Sequence, residues 1–183
     1  ELPTASDLLR TLDTLVLHLS AFAGMQAENM TRGQGWRFLE VGRRIERALS
    51  GLKLLRTAAG QGDESSLLDP LLETCDSVMT YRRRHFSRPR LEPVIELIFF
   101  DRTNPRSVAY QVEIIGKEIT RFPGEQDFGL LPKIREHLQE LETRFTNDRP
   151  PDEDGFEDTV TDIEVFADML TQHYFSHSVR RVY

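Results

Sequence analysis

The residues best equipped for chemistry in this chain are arginines. Twenty of its 23 basic residues are Arg, whose planar fork pairs with carboxylate or phosphate and also forms buried ion pairs. They gather in three places. The first is Trp36-Arg37-Phe38-Leu39-Glu40-Val41-Gly42-Arg43-Arg44-Ile45-Glu46-Arg47-Ala48. At about 100° per residue, Trp36, Glu40, Arg43 and Arg47 fall in one sector of a helix, opposite Phe38, Val41 and Ile45, with Glu46 at the border. Such a sector does one of two things. It is solvated and held by local pairs of Glu40 with Arg43 and Arg44, worth about 0.2 to 0.5 kcal/mol each, or it forms a pocket for a planar or anionic ligand beside Trp36. Glu46 is either a structural ion-pair partner of Arg43 and Arg47 or a proton-transfer group, and the pairing role is the expected one.

The second cluster is Tyr81-Arg82-Arg83-Arg84-His85-Phe86, followed by Arg88 and Arg90. Part of it suits the negative end of a helix. The third is Asp101-Arg102-Thr103-Asn104-Pro105-Arg106-Ser107, where a helix start would offer free amides beside Arg106 and the Ser107 hydroxyl. The three clusters are expected to converge on a shared anion site. A polar turn, Glu28-Asn29-Met30-Thr31-Arg32-Gly33, reads as a capping element. His173 and His177 stand four apart but lack the acidic residue of a metalloprotease helix, and no metal or cofactor is expected. Cys75 cannot form an internal disulfide and lies on an apolar stripe, so it reads as core. No phosphate-binding loop, dinucleotide fingerprint or nucleophile elbow occurs.

Helices must position these groups. Leu8, Leu12, Leu15, Leu19 and Phe22 recur at spacings of four and three after a Ser6 cap. Thr31 and Gln34 form a capping-box pattern for a second helix, from near Arg32 to Ala59 and stopped by Gly60 and Gly62, with Phe38, Val41, Ile45, Ala48, Leu52 and Leu55 inward. Asp69-Pro70 opens a third helix that carries Leu71, Cys75, Val78 and Met79 on its apolar stripe and runs through the arginine run to Pro89. Pro93 to Phe100 is a short apolar helix expected at the centre. Asn104-Pro105 starts a fifth with Val108, Val112, Ile115 and Ile119. Pro132 starts a sixth with Ile134, Leu138, Leu141 and Phe145, closed by the polar stretch 147–155. The last carries Val160, Ile163, Ala167, Leu170 and Tyr174. With no strand pattern anywhere, the expected fold is all-α, an antiparallel bundle of about six to seven helices.

The 183 residues suit one domain, 1–183, taken as a piece of a longer chain. No apolar run is long enough to span a membrane and no secretory leader is present, so a cytoplasmic location is expected. The net charge of −7 disfavours nucleic acid. It is unevenly spread: residues 32–121 carry 16 basic against 12 acidic side chains, and residues 122–183 carry 6 against 14.

These motifs resemble the alpha-E family, a bacterial all-helical domain of unknown function named for a Glu-Arg motif. The resemblance rests on Glu28 to Gly33, Gly35-Trp36-Arg37-Phe38-Leu39, Gly42 to Ala48, Tyr81-Arg82-Arg83-Arg84 and Asn104-Pro105-Arg106-Ser107, and it spans most of the chain. It implies that Glu46 and Arg47 are the signature pair and that the chain corresponds to a C-terminal portion of the family's longer members. It further implies partners: a circularly permuted ATP-grasp ligase and a transglutaminase-like peptidase, in a system that makes or modifies peptides. The expected role is a non-catalytic module that docks on the ligase or supplies a substrate-binding surface. The alternative is an enzyme using Glu46, with Arg47, Arg84 and Arg106 as its anion pocket.

Overall fold

The computed structural model describes residues 4–62, 66–123, 136, 143 and 152–175. The fold is an all-α helical bundle, and no strand occurs among the described residues. The chain divides into two compact units, Glu1–Arg37 and Phe38–Tyr183. In the first, α1 (Ala5–Asn29) is capped by Thr4 rather than Ser6: Thr4 Oγ1 accepts from Asp7 N at 3.2 Å, and Thr4 N donates to Asp7 Oδ2 at 3.2 Å. This reciprocal box satisfies two backbone donors that a helix start leaves open. None of the residues of α1 is buried, so the Leu8-to-Phe22 stripe has the expected spacing but stays exposed.

Helix α2 (Gln34–Ala59) begins in the first unit and continues through the second, where Val41, Ile45, Ala48, Leu52 and Leu55 are buried as their spacing predicts. The third expected helix is broken in two. α3 (Leu68–Thr74) ends at Cys75, Asp76 takes a left-handed conformation (φ 47°), and α4 (Val78–His85) restarts after Ser77. The apolar spacing runs through this break, which is why the sequence reads as continuous. Asp is among the few residues that tolerate that conformation. The restart also turns Met79 off the stripe and leaves it exposed.

The centre is α5 (Leu91–Ile95), which widens into a π-helical turn at Glu96–Phe100. Val94, Ile95, Leu97, Ile98 and Phe99 are all buried, each worth about 1.5 to 3 kcal/mol of transfer free energy. Helix α6 (Val108–Ile119) presents Val108, Val112, Ile115 and Ile119 to this core, and α7 (Glu153–Tyr174) adds Phe156, Val160, Ile163, Phe166 and Leu170. The acidic residues 152–154 are the N-cap and first turn of α7, where negative charge complements the helix dipole. Phe38 closes one end of the unit against Phe122, Tyr174 and Phe175, with ring centroids 4.4 to 5.2 Å apart. Most of the expected sixth helix, including Ile134, Leu138, Leu141 and Phe145, lies outside the described residues, as does His177.

Candidate functional site

The polar heart of the second unit is a carboxylate that the helical wheel places on a solvated sector. Glu40 is only 4% exposed. It accepts hydrogen bonds from Arg43 and from two nitrogens of Arg44, Nε at 2.7 Å and Nη2 at 2.5 Å. Arg44 Nη1 donates onward to Gln111 Oε1 at 3.1 Å, and its guanidinium lies 5.6 Å from the Tyr110 ring centroid. Gln111 is fully buried and spends its amide on the backbone, donating to Pro105 O at 2.7 Å and Ser107 O at 3.1 Å. The chain Glu40–Arg44–Gln111 therefore fastens α2 to the start of α6. Burial alone would raise the Glu40 carboxyl, but the hydrogen bonds and positive charges of Arg43 and Arg44 outweigh it and hold the group below its ordinary range.

Beside this network lies a cleft of about 290 Å³ lined by Arg43, Glu46, Arg47, Ser50 and Gly51 of α2, Thr74 and Cys75 at the end of α3, and Arg106 before α6. The residues from α2 recur at helical spacing, so one face of the helix builds the wall. Arg106 is held by Asp76 at 3.0 Å, which ties the cleft's rim to the break after α3. Arg43 Nε is buried without a hydrogen-bond partner. Among the described residues Arg47 makes no hydrogen bond or ion pair, and burial, reinforced by the neighbouring charges of Arg106, Arg44 and Arg43, holds its guanidinium below its ordinary value. The Glu40 carboxylate opposes this shift without pairing directly with Arg47. Burial pushes the Cys75 thiol up to about 11 against the opposing influence of Arg106.

The expected structural role of Glu46 is not what the structure gives. Glu46 is exposed, lines the cleft, and makes no ion pair among the described residues. The buried partner of the arginines is Glu40, whose i+3 and i+4 spacing to Arg43 and Arg44 was the available signal. Gln111 carried no signal, since nothing local distinguishes a buried Gln from an exposed one.

The three arginine clusters converge only in part. Arg43, Arg47 and Arg106 share the cleft. Arg84 instead pairs with Asp101 at 2.6 Å, and Arg82 lines a different hollow with Asp69, Tyr81, Phe86 and Arg88. Arg83 is exposed and lines neither. Asn104 and Ser107 are structural rather than anion ligands. The buried Asn104 amide donates to Leu97 O at 2.9 Å, and Ser107, not Asn104, caps α6, accepting from Tyr110 N at 3.1 Å and donating to Asp101 O at 2.6 Å. Trp36 belongs to the first unit, where the Arg32 guanidinium stacks 4.8 Å from its ring centroid. In the turn after α1, which holds Glu28 and Asn29 in its last residues, Arg32 donates to Ala27 O at 2.7 Å, so the cluster acts as a C-terminal cap. No group of three potential metal ligands occurs among the described residues, and no helix among them is long and apolar enough to cross a membrane.

An all-α domain with an arginine-walled cleft at a Glu-Arg pair is thus the class to which fold and site point. The chain belongs to the Alpha-E family, whose model, described as a predicted alpha-helical domain with a conserved ER motif, matches residues 2–175. Glu46-Arg47 is the single Glu-Arg dipeptide in the sequence. Uncharacterized proteins of Mycobacterium bovis and Mycobacterium tuberculosis are 30% identical to it over 132 residues, which is 70% of this chain and 15% of each relative. The chain therefore spans a small part of the length of these relatives. No solved structure matches it.

Proposed function

We propose that this domain is a non-catalytic recognition module of an ATP-grasp ligase system that makes or modifies peptides, and that the Arg43–Arg47–Arg106 cleft is the substrate-binding surface it supplies. The observation that carries this reading is the cleft at the Glu46-Arg47 pair, where Arg47 stands without an ion pair between Arg43, which Glu40 holds, and Arg106, which Asp76 holds. Its chemistry is that of binding: guanidiniums stay protonated at any working pH and donate in a fixed fork, while the one thiol in the cleft is pushed up to about 11 and stays protonated near neutrality. The match to only 15% of much longer relatives supports a part that works within a larger assembly, placed in the cytoplasm with the ATP that such a ligase consumes.

The test is co-purification of the chain with the ATP-grasp ligase and the transglutaminase-like peptidase, followed by ligation assays with and without it. The proposal expects co-purification and a rise in the substrate KM of the ligase when Arg47→Met replaces the native chain. Loss of both effects would sink it. A second reading, with Glu46 as the acid-base group and Arg47 and Arg106 orienting the substrate, draws support from the unpaired state of Glu46 in the cleft. Turnover by the isolated chain, lost about 100-fold or more in Glu46→Gln, would favour that reading instead. Arg84 leaves that set because it pairs with Asp101 and does not line the cleft.

A further inference from the structure

The cleft holds two kinds of charge, and they are not paired with each other. Arg47 forms no ion pair among the described residues, and Arg43, paired with Glu40 through Nη2, keeps a buried Nε without a partner. Glu46 sits next to Arg47 in sequence and one turn from Arg43, lines the same cleft, and nonetheless forms no ion pair among the described residues. A bare anion such as phosphate would meet the arginines but would be repelled by Glu46. A ligand carrying a carboxylate and an ammonium a few ångströms apart satisfies both unpaired groups: the carboxylate takes the Arg47 guanidinium and the ammonium takes Glu46.

Size narrows the class further. A cleft of about 290 Å³ has room for one amino acid. The remaining wall is small and mildly polar. Ser50 is exposed to the cleft, Thr74 Oγ1 donates to Pro70 O and keeps its lone pairs free, and Gly51 offers no side chain at all. From this arrangement we infer that the cleft binds a free α-amino acid as its zwitterion, with Arg47 on the carboxylate, the paired Arg43 and Arg106 beside it, and Glu46 on the α-ammonium. This deepens the recognition role proposed above and rests on it.

The experiment titrates the whole chain by calorimetry with each of the twenty common L-amino acids up to 10 mM, and then with the N-acetyl and the amide derivative of the best binder and with inorganic phosphate. The inference expects at least one free amino acid to bind, and expects N-acetylation and amidation each to weaken it about tenfold or more, the loss of one charge-assisted contact. Arg47→Met should abolish binding. Glu46→Gln should erase the preference for the free over the N-acetylated form. Gly51→Ala guards against a misfolded variant, because a methyl there meets Ile98 Cγ2 at 3.9 Å and Cys75 Sγ at 4.0 Å, ordinary contacts that leave the fold intact. It should weaken binding of the larger amino acids while the unfolding midpoint holds or rises. No binding by any amino acid, equal binding of the N-acetylated form, or tighter binding of phosphate would each overturn the inference. Co-purification with the ligase reads the module's role separately: amino-acid binding lost with co-purification intact rejects this inference alone, and the reverse result rejects the ligase association.

Discussion

Replacing Glu40 with Gln tests the physical reading of the site most directly, because it removes a charge and almost no volume. In the native fold the carboxylate accepts from Arg43 and twice from Arg44, and Arg44 in turn holds the fully buried Gln111. Removing one partner of a buried ion pair costs about 3 to 5 kcal/mol, since the remaining charge stays desolvated. Here the lower end applies. The Arg43 side chain is 32% exposed and can turn to water, whereas that of Arg44, at 14%, cannot. A loss of about 3 kcal/mol in a domain of this size lowers the thermal midpoint by roughly 6 to 12 °C. Calorimetric or circular-dichroism melts at pH 7 would measure it, with Glu46→Gln as the control. That exposed, unpaired carboxylate should change stability by less than about 0.5 kcal/mol. A cycle with Arg44→Met should show strong coupling to Glu40, since the two share one network. The reasoning is refuted if Glu40→Gln melts within about 2 °C of the native chain, or if Glu46→Gln loses as much.

Glu40 and Asp101 both sit below their ordinary values: burial opposes this in each case, and it is overcome by arginine pairing at Glu40 and, at Asp101, by the hydrogen bonds that Thr103 and Arg84 each donate to it. Between the depressed folded values and the ordinary ones the unfolded chain binds more protons, so the stabilisation is present above about pH 4.5 and is lost as pH falls through the folded values. Melts should be flat from pH 7 to about 5.5 and fall below about 4, less steeply in Glu40→Gln; a midpoint unchanged at pH 3 would contradict this. The Cys75 thiol, buried and pushed up to about 11, should resist iodoacetamide at pH 7.5 in the folded chain and react in urea; rapid labelling of the native protein would show the thiol to be accessible or ionised, against this reading. Gly51→Ala should raise stability by up to about 1 kcal/mol from helix propensity alone, read as a higher urea midpoint, and a marked drop would mean that the contact with Cys75 is tighter than the structure gives.

Much of the fold is local information. Spacings of three and four put Val41, Ile45, Ala48, Leu52 and Leu55 on one side of α2 and Val108, Val112, Ile115 and Ile119 on one side of α6, and these are the residues found buried. The segment 93–100 announced its central place because all but one of its residues, the exposed Glu96, are apolar. What local spacing leaves open is which polar sector is covered. A helical wheel gives Glu40 and Glu46 their angles about α2, but the element that lands on α2 decides which carboxylate loses water. That element brings Gln111 from 67 residues away, and it buries Glu40 and leaves Glu46 beside an open cleft. The break at Asp76 is equally non-local: the apolar stripe runs through it, and Arg106 meets the Asp76 side chain from 30 residues along the chain. The division of the arginines follows from the same cause. Asp101 claims Arg84, while Arg43, Arg47 and Arg106 are left around one cleft, because charge pairing depends on distances that only packing sets.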